Sequence, residues 1–129
     1  MFDAKNGPAI FNEAARLAHL HGAKLALSLS DPWCAERHRA ALRDFTANHV
    51  SILFGNEEEV ASLYQCEVNS AISVLSGTID EVVVTRGPNG AFVGAKQNSY
   101  EIPAMPQGAV IDTTGAGDLF AAGYLFGRT

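Results

Sequence analysis

The chain has 129 residues, room for one domain and not comfortably for two. Hydrophobic residues make up 47% and charged residues 18%, so a packed core is expected rather than disorder. Nine basic against fourteen acidic residues leave a net charge of −5, which argues against a nucleic-acid surface, and no apolar run approaches the ~18 residues of a membrane span.

Residues 7 to 21 read as a helix, with Ile10, Ala14, Leu17, Ala18 and His21 at helical spacing, Pro8 in the first turn and Gly22 to end it. Lys24 to Ser30 reads as a strand with Leu25, Leu27 and Leu29 on one face. Asp31 and Pro32 then open a second helix that runs to about Asn48, with Asp31 as N-cap. Val50 to Phe54 is a short buried strand; Asn56 starts a third helix through Tyr64, and residues 67 to 76 form a fourth. Glu81 to Thr85 is a continuous apolar strand of the kind covered on both faces. Gly87 to Gly90 is a turn, Ala91 to Ala95 with Ser99 to Ile102 a hairpin, and Pro103 to Gly108 a loop. The alternation predicts an α/β fold with ligand-binding loops beyond the carboxyl ends of the strands. Four loops fall there: Asp31 onward, Gly55-Asn56, Arg86 to Gly90, and the glycine turn at 115 to 117.

The chemistry concentrates in that last loop. Ala109, Val110 and Ile111 form an apolar strand that feeds Asp112-Thr113-Thr114-Gly115-Ala116-Gly117-Asp118, and an apolar helix follows directly. The glycines admit a ligand close to the backbone, and the first N–H groups of the helix, together with its dipole, favour an anion. Asp118 in the first turn lies beside that cradle, where a carboxylate can orient an attacking hydroxyl and accept its proton. A dinucleotide fingerprint would need glycine at 120, where Phe120 stands, and no Gly-Lys-Ser/Thr of a P-loop occurs. The string resembles the D-T-x-G-A-G-D signature of the ribokinase-like (PfkB) carbohydrate and nucleoside kinases.

Other segments extend the resemblance. Asn56 and Glu59 match an N-x-x-E motif, which implies that they help place Mg²⁺ and its waters; the same pattern is a capping box, and both roles can coexist. Thr85, Gly87 and Gly90 resemble the T-x-G-x-x-G segment, which implies contact with the nucleotide, as it does for Asp112 and Thr113. Arg86 reads as a solvated surface arginine. Asp31-Pro32-Trp33 departs from the D-P-N of many sugar kinases, and the run from Ser30 to Arg39 is similar to the adenosine-kinase-like branch. Asp31 itself reads as a plain N-cap. His19, His21, His38 and His49 show no zinc-ligand spacing, and no G-x-S-x-G elbow is present.

The resemblance implies a ribokinase-like, doubly wound and mostly parallel sheet with helices on both faces, here as a partial domain over residues 1–129. It implies ATP and Mg²⁺ as cofactors and transfer of the γ-phosphate to a hydroxymethyl group of a nucleoside, adenosine favoured, or of a sugar. Asp118 would be the base and Gly115, Ala116 and Gly117 the anion hole. Members of the family carry a longer N-terminal part with substrate contacts and a lid, and further C-terminal segments, so the chain is expected to need those segments or a second copy. A nucleotide-binding fragment that acts with a partner chain, or a fold element without catalysis, are the alternatives. Cys34 and Cys66 lack C-x-x-C spacing and Met1-Phe2-Asp3 begins no signal peptide, so a reducing cytoplasm is the expected compartment.

Overall fold

The structure is a computed structural model that describes residues 2–96, 98–105, 108–109 and 112–128. Five strands form one sheet in chain order: β1 (Ala26–Ser28), β2 (Ile52–Asn56), β3 (Glu81–Thr85), β4 (Ala91–Ala95) and β5 (Asn98–Ile102). β1, β2 and β3 run parallel; β3–β4 and β4–β5 are antiparallel. The sheet is therefore mixed, its parallel half made by crossovers and its antiparallel half by the expected hairpin.

The crossovers are helical. α1 (Gly7–Leu20) precedes β1; α2 (Pro32–Arg37) and α3 (Arg39–His49) join β1 to β2; α4 (Glu57–Tyr64) and α5 (Val68–Thr78) join β2 to β3. All five pack on one face of the sheet. There Leu53, Val82 and Val84 meet Val60, Leu63, Ala71 and Leu75 in a fully buried core. The other face carries Ile52, Phe54, Val83 and Val93 under Ala121 and Tyr124 of α6 (Ala116–Arg128). Helices thus cover both faces, as β3 with its apolar run requires.

Several expected boundaries move: the strand expected at Lys24–Ser30 forms only over Ala26–Ser28, and the helix expected at 67 to 76 runs Val68–Thr78. The single helix expected from Asp31 to Asn48 breaks at His38, whose φ of −109° and ψ of 21° leave the helical region. Asp3 makes the break worthwhile: its carboxylate pairs with the His38 ring and the Arg37 guanidinium, each at 2.7 Å. Those two partners hold the Asp3 carboxyl below its usual range. The short strand expected at Val50 to Phe54 lies two residues later, at Ile52–Asn56, because its register against Glu81–Thr85 starts at Ile52. Of the strand expected at 109–111, Val110 and Ile111 lie outside the described residues.

At the hairpin entry, Gly90 has a φ of +89°. A Cβ there would stand 1.9 Å from the Ile102 carbonyl oxygen. Both the backbone conformation and the space demand glycine. Gly90→Ala is expected to destabilise the protein by about 2–3 kcal/mol, read as a lower denaturant midpoint with an unchanged slope.

Candidate active site

The parallel strands end on one row. Asn56 at the end of β2 stands opposite Thr85 at the end of β3, and the N-terminus of α6 comes down over the same edge. A cleft of about 320 Å³ forms there, lined by Ser28, Ser30, Asn56, Glu59, Thr85, Gly115, Gly117 and Asp118 over a floor of Phe54 and Val83. Asn56, Thr85, Gly117 and Phe120 also border a second, more apolar cleft of about 510 Å³, with Gly87, Gly90, Ile102, Ala104, Met105, Thr113 and Ala116 in its wall. The predicted residues therefore divide between two connected lobes. Asp118, Gly115 and Glu59 are in the polar one, Gly87, Gly90, Thr113 and Ala116 in the apolar one, and Asn56, Thr85 and Gly117 lie where they meet. Asp112 lines neither; its Oδ1 accepts from the Thr114 N–H at 2.9 Å and the Thr114 hydroxyl at 2.8 Å, which shapes the turn and holds its carboxyl below the usual range.

The turn before α6 is built for close approach. Gly115 has a φ of +74°, and a Cβ on Gly115 or Gly117 would meet nothing within 4 Å, so the space above both is open. The Ala116 N–H donates to the Thr113 carbonyl at 3.0 Å and the Leu119 N–H to the Gly115 carbonyl at 3.0 Å. The first-turn amides of Gly117 and Asp118 lie between these two bonds, at the positive end of the helix dipole.

Asn56 and Glu59 do form a capping box. The Asn56 side chain accepts from the Glu59 N–H at 2.8 Å, and Glu59 Oε2 accepts from the Asn56 N–H at 2.9 Å. Both also line the polar cleft, so the cap and the cleft wall share these two residues. Glu59 is only 7% exposed. That burial pushes its carboxyl above the ordinary 4.5, against the opposing pull of the Asn56 N–H, and the carboxylates of Asp31 and Glu58 push the same way.

No described residue lining either lobe is basic. Arg86 is not the solvated arginine expected: its side chain is 29% exposed and ion-paired to Glu57 at 3.2 Å and Glu101 at 3.5 Å, which ties the glycine loop to the start of α4 and to β5. Asp31 is the expected N-cap, its Oδ1 accepting from the Trp33 N–H at 2.8 Å. Sequence reasoning missed Ser28, Ser30 and Phe120. The two serines were visible in principle, since they alternate with Leu27 and Leu29 at the end of β1. Ser30 has a φ of +62°, and its hydroxyl lies 3.2 Å from that of Ser28.

The oxygen atoms of Ser28, Ser30, Asn56, Glu59, Thr85 and Asp118 make an oxygen-rich wall around a buried carboxylate that no basic side chain neutralises. That donor set fits a hard divalent cation such as Mg²⁺, which takes oxygen ligands and retains waters. The open glycine turn, with its amides at a helix N-terminus, fits a phosphate.

Comparison with known proteins shows likeness to kinases of nucleosides and sugars. An adenosine kinase from Sinorhizobium meliloti superposes with a TM-score of 0.93 at 35% identity, over 98% of this chain and 39% of that one. A nucleoside kinase from Methanocaldococcus jannaschii is 35% identical over 80 residues, 60% of this chain and 25% of its own. The 2-dehydro-3-deoxygluconokinase of Escherichia coli is 28% identical over 159 aligned positions, covering 95% of this chain and 51% of the enzyme. The chain thus spans between a quarter and a half of the length of these relatives. The family profile described as pfkB family carbohydrate kinase matches residues 2–129, and the chain belongs to that family.

Proposed function

We propose that the chain carries the phosphoryl-transfer part of an ATP-dependent kinase that acts on a hydroxymethyl group of a nucleoside, adenosine favoured. One observation carries this reading: Asn56, Glu59, Gly115, Gly117 and Asp118, drawn from two distant stretches of sequence, line a single oxygen-rich cleft. In this reading the nucleotide lies in the apolar lobe beside Gly87 and Gly90, with its phosphates toward the glycine turn. The Gly117 and Asp118 amides donate to phosphoryl oxygens as charge develops on them. Asp118 orients the acceptor hydroxyl and takes its proton; a loose transition state lets that proton leave late. Asn56 and Glu59, through waters, would hold Mg²⁺, which would supply the positive charge that the cleft's side chains lack. Adenosine is favoured by the Ser30–Arg39 pattern and by the likeness to the Sinorhizobium meliloti adenosine kinase. A sugar as acceptor is the second reading, supported by the alignment with the Escherichia coli sugar-acid kinase over 95% of this chain. Phosphorylation of adenosine against ribose or fructose by the full-length protein decides between them.

Three outcomes follow. Asp118→Asn is expected to lower turnover by about 10²–10⁴-fold while calorimetric ATP affinity stays near that of the parent; near-normal turnover removes Asp118 from the mechanism. ATP is expected to bind at least about tenfold more weakly in EDTA than with Mg²⁺, because the cleft sets carboxylates and no cation against the phosphates. Equal affinity in both conditions counts against a metal-assisted site.

The third concerns Glu59 in the metal-free protein. A carboxyl whose folded pKa is raised binds its proton more tightly in the folded state, so its contribution is fully present below 4.5 and is lost as the pH rises through the folded value. Glu59→Gln keeps a side chain able to cap and removes that titration. Denaturation across the window above pH 4.5 is expected to show a smaller loss of stability with rising pH in the variant than in the parent. Parallel curves argue against a buried, uncompensated carboxylate.

A further inference from the structure

At the end of β3 away from the cleft, Glu81 is 7% exposed and faces α6. Its Oε2 accepts from the Tyr124 hydroxyl at 2.6 Å, and its Oε1 accepts from the Arg128 guanidinium. Among the described residues, both side-chain hydrogen bonds from α6 to the sheet end on this one carboxylate. Ala121 and Tyr124 of the helix, among the described residues, pack on the sheet, with the Tyr124 ring edge-on to Phe54 at 5.5 Å. Burial first, then the bond to Glu81, push the Tyr124 phenol up to about 12, so it remains a donor at any physiological pH.

Helix geometry converts this anchor into a statement about the cleft. Gly117, Ala121, Tyr124 and Arg128 fall on one stripe, and Asp118 lies on its flank, about 100° further round than Gly117. Tyr124 and Arg128 engage the same carboxylate from successive turns, so the helix cannot rotate about its axis without breaking one of the two bonds. Side chains reach about 5–6 Å from a helix axis, so a 20° rotation would carry the Asp118 carboxylate about 2 Å. A misplacement of about 1 Å can cost a hundredfold in rate.

We propose that Glu81 is a positioning residue: it fixes the rotation of α6 and thereby the place of the Asp118 carboxylate in the cleft. The proposal rests on the reading of Asp118 as the base. It is tested in the full-length protein with Glu81→Gln, which keeps the volume and removes the charge, and with Tyr124→Phe, which keeps the ring on Phe54 and removes one bond. Ile72→Ala serves as comparator, because it opens the core on the opposite face and touches nothing of α6. Turnover, KM for ATP, melting temperature and hydrogen exchange over 116–128 are read for each.

The expected result is a loss of kcat of about tenfold or more for Glu81→Gln and a smaller loss for Tyr124→Phe. KM for ATP should stay within about twofold, and α6 should exchange faster while β2 and β3 do not. Ile72→Ala should lower the melting temperature and keep kcat. Unchanged kcat and unchanged α6 exchange in both α6-anchor variants overturn the proposal, and so does a loss of kcat in Ile72→Ala that matches theirs at equal loss of melting temperature. Should Glu81→Gln fail to fold, Tyr124→Phe decides alone by the same criteria. Full turnover in Asp118→Asn is a different result: it overturns the assignment of the base, and it is read with the Glu81 anchor intact.

Discussion

The parallel pairing of β2 with β3 is the constraint on which the site depends. Ile52 to Asn56 runs beside Glu81 to Thr85 without a slip, so Asn56 and Thr85 end on the same row. A slip of one residue in β3 would turn Val82 and Val84 away from the five helices and bring Val83 under them instead. The burial of residues on both faces holds that register: Leu53, Val82 and Val84 are fully buried on one side, Val83 on the other. Once it is held, the capping box, the glycine loop and the N-terminus of α6 share one edge of the sheet, and the open space between them is the cleft.

Within the cleft, stability and chemistry draw on the same atoms. Asn56 and Glu59 each give one side-chain oxygen to the cap of α4. A helix of eight residues gains about 1 kcal/mol from such a cap, and the cap also fixes both side chains toward the cleft. What it does not relieve is the burial of the Glu59 carboxylate, whose pKa rises for that reason. Arg86 does not answer that charge, because its guanidinium is taken by Glu57 and Glu101. Among the described residues, the cleft therefore presents amides, hydroxyls and carboxylates rather than lysine or arginine.

Much of this was legible in the sequence because it is local. The apolar run at 81–85, the hairpin strand at 91–95 and the caps at Asp31 and Asn56 are each set by neighbours a few residues away, and the structure keeps them. The glycine turn was legible for the same reason, since its shape needs only Asp112, Thr114 and Gly115. What escaped were contacts between distant residues. The break at His38 depends on Asp3, thirty-five positions earlier. Arg86 finds Glu57 across twenty-nine positions, and Glu81 meets Tyr124 and Arg128 across forty-three and forty-seven. No periodicity encodes such pairs; each requires the sheet order first. Ser28 and Ser30 were hidden differently: their alternation with the leucines was plain, but only the fold shows that the face they occupy is the wall of the cleft.

In the proposed reading, these long-range pairs set the rotation of the helix that carries Asp118. Hydrogen bonds to one buried carboxylate are directional, and Glu81 lies far enough along the axis that Tyr124 and Arg128 bracket it from successive turns. The cost is a desolvated charge, offset here by two donors that leave neither carboxylate oxygen unpaired. At the other end of the same helix, the glycine turn gives up side chains so that its amides can face the cleft. In the proposed reading, orientation is set at one end of α6 and amide exposure at the other, and the first-turn carboxylate of Asp118 depends on both.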